Sequence, residues 1–439
     1  MTQPPSRPRV LILADDCNPE WPSLPIVGYK YARALSRICD VTLATHVRNR
    51  ENIEKRGGDG MTLVYLDNEY IARPLYKLAT RLRGGDEVAW STSMIMAYLP
   101  YLAFEREAWK RFRGELTAGA FDIVHRITPM TPTLPSWIAG RGKAAFVIGP
   151  LNGNLAWPAF FAEEQARERE GLRRLRDLYK VLPYARSTYR KADAVLAAFR
   201  HTVDDLDAAD PAKIVIFPEV GYDEEIFHPG DRATADPADP DAGRTRFLFV
   251  GRMVPYKMPE VLVRAMAASP TLQRHLLHFV GDGPETPRLK ALVEAHGLQD
   301  CVRFEGRRTQ AEVADWMRRA DVFAFPSIRE LGAGVVVEAM ACGMINLVVD
   351  YGAPGALVRD DRGLRVPLGP MEALVEGFRT GMERCVAMPP EERAAMRAAA
   401  CAYAEAKLRW PAKAEATMEV YRAVLSGAPM PDVYGAGAD

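Results

Sequence analysis

Two glutamates and two glycines lie close together in one stretch of the chain, and their spacing suits the binding of an anion beside a polyhydroxylated group. The glycines are Gly332 and Gly334, and the carboxylates of Glu330 and Glu338 flank them. Small residues let a ligand approach the backbone, and amides at the start of a helix attract phosphate. Carboxylates repel phosphate, so these two suit hydrogen bonds from sugar hydroxyls. A strand-to-helix turn with solvated glutamates would show the same residues, and this alternative stays open here.

Two cations follow a predicted strand in the same half of the chain. Residues 247–250 form an apolar run, Gly251 comes directly after it, and Arg252 and Lys257 lie in the next loop. Open α/β sheets bind ligands at the carboxyl ends of their strands. An arginine fork and a lysine point charge are a usual pair for a diphosphate. Together with the Gly332 loop they predict a diphosphate site, although each cation alone could be a solvated loop residue.

Several motifs occur in a characteristic order. They are GR-x4-K from Gly251, GDGPE at 281–285, Glu-x7-Glu from Glu330, FPEVGYDEEIFHP at 217–229 and LRWPAKAEATMEVYRAVL at 408–425. This set resembles the retaining glycosyltransferases of family 4, also called group 1 glycosyltransferases. The resemblance is strong from about residue 217 to residue 425 and weaker before. It implies the GT-B fold, in which two doubly wound Rossmann-like α/β domains face a cleft and a C-terminal helix crosses back to the first domain.

The resemblance also implies roles for residues of the donor site. Arg252 and Lys257 are expected to stabilise the departing diphosphate, Glu330 to hold donor-sugar hydroxyls and Glu338 to hold the ribose. The loop after the first strand usually carries a glycine pair in this family, and here Gly28 alone matches. The predicted donor-binding residues are Gly28, Gly251, Gly281, Gly332, Ala333, Gly334, Val335 and Glu338.

The first half of the chain supplies the remaining candidates. His125 stands where the family places the first histidine of a pair, and Ile127 stands at the second position. We therefore predict His125 as a catalytic residue with Arg252, Lys257 and Glu330, and keep the alternative of a satisfied core histidine. Polar residues after the strands predicted at 121–125 and 145–149 are candidates for the acceptor pocket, with a plain turn as the alternative for the second group. They are Arg126, Thr128, Asn152 and Asn154.

Short apolar runs alternate with segments of helical spacing, which predicts doubly wound parallel sheets. Residues 223–246 are rich in Asp, Pro and Ala and predict a linker with a surface loop. We predict an acceptor-binding domain at 1–222, joined by a crossover helix at 410–428, and a nucleotide-sugar-binding domain at 223–409.

Composition excludes some classes of protein. The 439 residues carry 57 basic and 57 acidic side chains, so no global field favours nucleic acid. The six cysteines show no paired spacing, and the start of the chain shows no signal peptide, so a reducing cytoplasm is expected.

Basic residues before an aromatic stretch at 89–104, and the basic amphipathic segment 163–191, suit peripheral contact with the inner membrane face. A helix packed on the sheet, a lid or a solvated helix are the alternatives for these segments.

The predicted function is transfer of a sugar, of hexose type, from a nucleotide diphosphate sugar to a glycan, lipid-linked or small-molecule acceptor. Retention of configuration and a place in polysaccharide biosynthesis are what the resemblance implies. We expect no metal and no cofactor, because Asp239 and Asp241 form a DxD only within a loop that offers no further ligands. The alternatives are a GT-B nucleotide-sugar epimerase and a non-catalytic nucleotide-sugar-binding protein. A dinucleotide-dependent oxidoreductase would need GxGxxG after the first strand, and that motif is absent there.

Overall fold

The computed structural model describes residues 7–75, 90–167, 179–230 and 241–435, and of residues 90–96 the backbone alone. Contacts divide the chain into two compact units. The first comprises Met1–Asn154, Arg169–Glu219 and Trp410–Asp439, and the second comprises Leu155–Glu168 and Val220–Arg409. The boundary between 219 and 220 lies slightly earlier than the predicted one, and residues 155–168, predicted in the first domain, belong to the second unit.

The first unit contains a parallel sheet of seven strands. They are β1 Arg9–Ala14, β2 Asp40–His46, β3 Thr62–Leu66, β4 Ile123–Thr128, β5 Ala145–Leu151, β6 Ala194–Ala197 and β7 Ile214–Ile216. The strand order is β3-β2-β1-β4-β5-β6-β7, so the direction of the connections reverses between β1 and β4. Strands buried on both faces read as continuous apolar runs, which is why residues 10–13 identify β1 in the sequence.

The second unit contains a parallel sheet of six strands. They are β8 Arg246–Val250, β9 Leu276–Val280, β10 Val302–Gly306, β11 Val322–Phe325, β12 Ile345–Val349 and β13 Gly363–Val366. The order is β10-β9-β8-β11-β12-β13, and the connections reverse between β8 and β11. Two doubly wound parallel sheets confirm the predicted α/β fold class.

Helices connect these strands. They are α1 Leu24–Ser36, α2 Arg50–Arg56, α3 Trp90–Ala118, α4 Ala162–Arg167, α5 Ala185–Lys191, α6 Arg200–Val203, α7 Pro259–Ala267, α8 Thr286–Ala295, α9 Gln310–Arg319, α10 Gly334–Ala341, α11 Gly352–Leu357, α12 Met371–Ala387, α13 Pro390–Tyr403 and α14 Trp410–Ser426. A 3-10 turn, Pro255–Lys257, precedes α7.

Helix α3 is a core helix of the first unit. Its buried side chains Tyr101, Phe104, Ala108 and Phe112 recur every three to four residues and pack with Leu11 and other residues of the sheet. The remainder of the two segments predicted to contact lipid, residues 76–89 and 168–178, lies outside the described residues. None of the described helices combines the length and the apolar character needed to cross a membrane.

Helix α14 belongs to the first unit although it follows the whole of the second in sequence. It packs against α1, and the Tyr31 and Thr417 hydroxyls of these two helices lie 2.5 Å apart. Its residue Lys413 is fully buried, donates to the Pro218 carbonyl and lies 4.4 Å from the Phe217 ring centroid. These contacts join the residues just before and just after Val220–Arg409, the longer segment of the second unit.

Candidate functional site

The switch point of the second sheet brings together the residues predicted from separate motifs. Strand β8 pairs with both β9 and β11, and the loops after β8 and β11 therefore emerge side by side at the carboxyl edge. Ligands of open α/β sheets bind at such a point. Lys257 lies in the first of these loops and Glu330 in the second.

Lys257 and Glu330 form an ion pair across the two loops. The Lys257 Nζ lies 3.1 Å from Glu330 Oε1, and the two side chains are 13% and 15% exposed. The ammonium also lies 5.2 Å from the ring centroid of Phe325, the last residue of β11. A Cβ on Gly251, where φ is 148°, would lie only 3.1 Å from Nζ, so glycine leaves space for the ammonium.

Tyr256 links the cations and the β11 loop, and sequence reasoning missed it. Its carbonyl accepts hydrogen bonds from the Ile328 amide (3.0 Å) and the Ser327 hydroxyl (3.3 Å). The second predicted cation, Arg252, is exposed at the carboxyl edge, and its charge acts on the Tyr256 hydroxyl. Burial, aided by the negative charge of Glu330, raises the pKa of Tyr256, whereas the two neighbouring cations oppose this. A tyrosine directly before Lys257, in the sequence RMVPYK, was the only available signal.

The turn after β9 packs backbone to backbone on the turn after β8. A Cβ on Gly281, where φ is 131°, would lie 2.0 Å from the Gly251 carbonyl oxygen. The Met253 amide donates to the Asp282 carbonyl (3.1 Å), and the Glu285 amide donates to the Met253 carbonyl (3.0 Å). Gly281 therefore allows the turn after β9 to support the loop that carries Arg252 and Lys257, and it contributes to the site only indirectly.

Helix α10 begins at the predicted glycine loop. Ala333 precedes it in the left-handed conformation with φ 47°, no side chain caps it, and its first turn has no acidic residue. The first N–H groups of a helix have no acceptor within the helix. Those of Gly334 and Val335 therefore point outwards at its N-terminal end. Glu338, four residues after Gly334, lies on the same helix face and is half-buried.

The corresponding switch point of the first sheet carries two acidic residues that sequence reasoning missed. The Thr128 hydroxyl donates to Asp15 Oδ1 (3.1 Å) and accepts from the Asp16 amide (3.2 Å). A Cβ on Gly28 would lie 2.9 Å from Thr128 Cγ2 and 3.0 Å from the Asp16 carbonyl oxygen. Gly28 thus lets α1 approach this loop closely. Burial, followed by the charge of Asp15, raises the pKa of Asp16 to about 6.

The structure places His125 in the interior of the first unit. Its ring is fully buried between the Tyr421 hydroxyl (2.6 Å from Nδ1) and the Gly149 carbonyl (2.8 Å from Nε2). Since a carbonyl can only accept, Nε2 carries the proton and Nδ1 accepts from Tyr421. Burial lowers the pKa of His125 to about 4, so the ring is neutral near pH 7. His125 joins β4 to α14, as the core alternative predicted.

Two acceptor-pocket candidates also lie in the interior. Arg126 is fully buried, donates to the carbonyls of Leu134, Pro129 and Thr131 and so holds the loop after β4. Asn152 is 5% exposed and donates through Nδ2 to the buried Glu219. Neither side chain therefore lines an open pocket. Asn154 is half-buried, with φ 62°.

Metal binding has no evident location in the part of the chain that the structure describes. No group of three or more His, Cys, Asp and Glu side chains there is arranged to hold a metal ion.

Comparisons with known proteins agree with this organisation. The family described as "Glycosyl transferases group 1" matches residues 233–400, which contain every second-unit residue of the site. The D-inositol 3-phosphate glycosyltransferase of Kineococcus radiotolerans is 36% identical over 260 residues, 53% of this chain and 57% of that protein. The enzyme of the same name from Saccharomonospora viridis is 34% identical over 232 residues, 50% of this chain and 52% of that protein. The chain thus matches about half the length of these curated relatives.

Solved structures resemble nearly the whole chain. Sucrose-phosphate synthase from Thermosynechococcus elongatus has a TM-score of 0.64 at 19% identity, covering 96% of this chain and 100% of that one. HepE from Anabaena, in complex with UDP and glucose, has a TM-score of 0.56 at 16% identity, covering 94% and 99%. Likeness at such identities concerns the fold alone. Residues 233–400 thus match the group 1 glycosyltransferases, and the fold of the chain is GT-B.

Proposed function

We propose that the protein transfers a sugar from a nucleoside diphosphate sugar to an acceptor held by its first unit. The observation that carries this proposal is the Lys257–Glu330 pair at the switch point of the second sheet, beside the start of α10. A cation, helix amides and carboxylates together match a donor that has a diphosphate and many hydroxyls. The name of the curated relatives supports sugar transfer, and the UDP and glucose bound to HepE support the same class of donor.

The chemistry follows from the charge that develops on the leaving group. Breaking the bond at the anomeric carbon leaves negative charge on the diphosphate, and we infer that Lys257, Arg252 and the α10 amides stabilise it. We infer that these groups suffice without a metal. Attack by the acceptor from the face of the leaving group, with the departing phosphate accepting the acceptor's proton, gives retention of configuration.

We assign recognition of the donor's hydroxyl groups to Glu330 and Glu338. Glu330, adjacent to Lys257, is assigned to the hydroxyls of a hexose, and Glu338, one helical turn beyond Gly334, to the ribose. Both oxygens of a carboxylate accept hydrogen bonds from hydroxyls, and charge-assisted bonds of this type are among the stronger ones in proteins.

The acceptor is assigned to the carboxyl edge of β1 and β4. Asp16, with Asp15 and Thr128 behind it, offers oxygens for acceptor hydroxyls at the switch point of the first sheet. We infer a glycan, lipid-linked or small-molecule acceptor, with polysaccharide biosynthesis as the setting.

A cytoplasmic location with peripheral contact at the inner membrane face is part of the proposal. The six cysteines, none of them in a disulfide, support a reducing compartment.

The test uses purified full-length protein and a panel of UDP-, GDP-, ADP- and dTDP-sugars without acceptor. We expect slow release of one nucleoside diphosphate, unaffected by EDTA, and a raised melting temperature with the same nucleotide. Conversion of the donor to its epimer would favour the epimerase, and binding without any turnover would favour the binding protein. No release and no stabilisation with the whole panel would contradict the proposal. Once an acceptor is found, the anomeric proton coupling in the product reports retention or inversion.

A further inference from the structure

Residues 155–167 follow β5 in sequence but belong to the second unit. We call residues 155–167 the strap. Its side chains Leu155, Trp157 and Phe161 are at most 8% exposed, so the strap is packed down and is not a solvated loop. Phe160, between them, is 60% exposed and faces solvent.

The strap reaches the loops that follow four strands of the second sheet. At the β12 loop, the Tyr351 hydroxyl donates to the Ala156 carbonyl (2.7 Å). At the β11 loop, the guanidinium carbon of Arg329 lies 5.2 Å from the Trp157 ring centroid. At the β9 loop, Arg167 forms an ion pair with Glu285, whose side chain is 9% exposed. Helix α4, which ends the strap, also packs against the Pro255–Lys257 turn after β8.

These contacts converge on Glu330. A Cβ on Gly352 would lie 2.8 Å from Leu155 Cδ2 and 2.7 Å from the Glu330 carbonyl oxygen, so these three groups meet. The Ala353 amide donates to the same Glu330 carbonyl (3.1 Å), and Trp157 holds Arg329 immediately before Glu330. The β12 loop therefore holds the backbone of Glu330, and the strap contacts both that loop and the residue before Glu330.

We propose that Leu155, Trp157 and Arg167 form a wall at the sugar end of the donor site and position Glu330, so that the strap determines which donor sugar is accepted. This inference rests on the proposed function and adds a specificity element to it. Trp157 and Arg167 act as positioning residues, through Arg329 and through the β9 turn respectively. Cation–π and ion-pair contacts of this kind fix the geometry of a loop without touching the reacting atoms.

The experiment compares binding of two probes, UDP and the nucleoside diphosphate sugar that the unsubstituted protein hydrolyses fastest. If that sugar carries another base, the matching diphosphate replaces UDP. In Trp157→Leu we expect about tenfold weaker binding of the sugar nucleotide and a similar rise of its KM, with little change for the diphosphate alone. Phe160→Ala, on the solvent side of the strap, should change neither.

A second pair of variants guards against misfolding. Arg167→Gln should weaken sugar-nucleotide binding in the same selective way, and Arg167→Lys should restore most of it because the charge opposite Glu285 returns. Equal weakening for both probes, or no change in any variant, would overturn the role of the strap while leaving the proposed function intact. Failure of the unsubstituted protein to bind or hydrolyse any nucleoside diphosphate sugar would instead overturn the proposed function, and this inference with it.

Discussion

The ammonium of Lys257 and the carboxylate of Glu330 lie 3.1 Å apart, joined across the two loops at the switch point of the second sheet. Both side chains are mostly shielded from water, so the attraction between them is stronger than that of a surface pair. A bound diphosphate would add negative charge beside Lys257 and stabilise its ammonium group further. The pair therefore holds a cation ready at the position where the leaving group is proposed to form.

Loss of the Lys257 charge should slow turnover. In Lys257→Met we expect a decrease in kcat of at least about tenfold, because a charge-assisted bond that strengthens in the transition state is removed. Steady-state hydrolysis or transfer assays measure this. Arg274→Met, an exposed cation before β9 at the other edge of the sheet, is the control and should behave as the unsubstituted protein. Unchanged turnover in Lys257→Met would remove this residue from the mechanism.

Alanine at Gly281 should destabilise the second unit far more than alanine at Gly297. Both residues have positive φ, but the added Cβ meets the Gly251 carbonyl oxygen at 2.0 Å in the first case and nothing within 4 Å in the second. We expect about 1 kcal/mol for Gly297→Ala from backbone strain alone. For Gly281→Ala we expect about 3 kcal/mol or more, since the two turns must separate. Urea denaturation gives both values, and equal losses would show that the turns are not tightly packed.

Removal of the hydroxyl opposite His125 should affect stability and leave chemistry alone. Tyr421→Phe leaves the buried Nδ1 without its donor, at a cost of about 1–3 kcal/mol. The measurements are the free energy of unfolding and kcat per folded molecule. We expect the first to fall and the second to stay constant. A lower kcat with unchanged stability would return His125 to the catalytic residues.

Glu219 should make stability depend on pH. Burial raises its pKa from the ordinary 4.5 to about 7, so the folded chain holds this proton more tightly than the unfolded chain does. The stabilisation is complete below pH 4.5 and is lost as the pH rises towards 7. Glu219→Gln should remove this part of the decline in melting temperature, and the exposed Glu20→Gln should not. Lys413, whose pKa burial lowers to about 7, contributes above that pH and with the opposite slope. A profile unchanged by Glu219→Gln would show that the carboxyl is already ionised in the folded protein.

The sequence predicts most strands because they are buried on both faces. Residues 322–325 are an uninterrupted apolar run and match β11, and residues 276–280, interrupted only by the buried His278, match β9. Strand β13 was not predicted, since Gly363–Val366 contains an exposed arginine and resembles a turn. Lys257 and Glu330 were predicted separately, and the parallel pairing of β8 with β11 brings them together.

Other parts of the site depend on contacts that leave no local pattern. His125 and Arg126 look like polar residues at a strand end, and only the packing of α14 and of the loop after β4 shows that both are interior. The strap was predicted as part of the first domain, because a segment between two strands of one sheet normally stays with that sheet. Its apolar residues instead contact loops that lie far along the chain.

The contribution of α14 to the first unit bears on how the protein is made. Residues 410–426 supply contacts to α1 and to His125, and a ribosome synthesises them only after the whole second unit. Until residues 410–426 have been synthesised, the first unit lacks α14. The surface that binds this helix therefore stays exposed while the second unit is made and folds. A nascent chain stalled before Trp410 should be a substrate for chaperones and proteases, whereas the addition of this one helix should protect it.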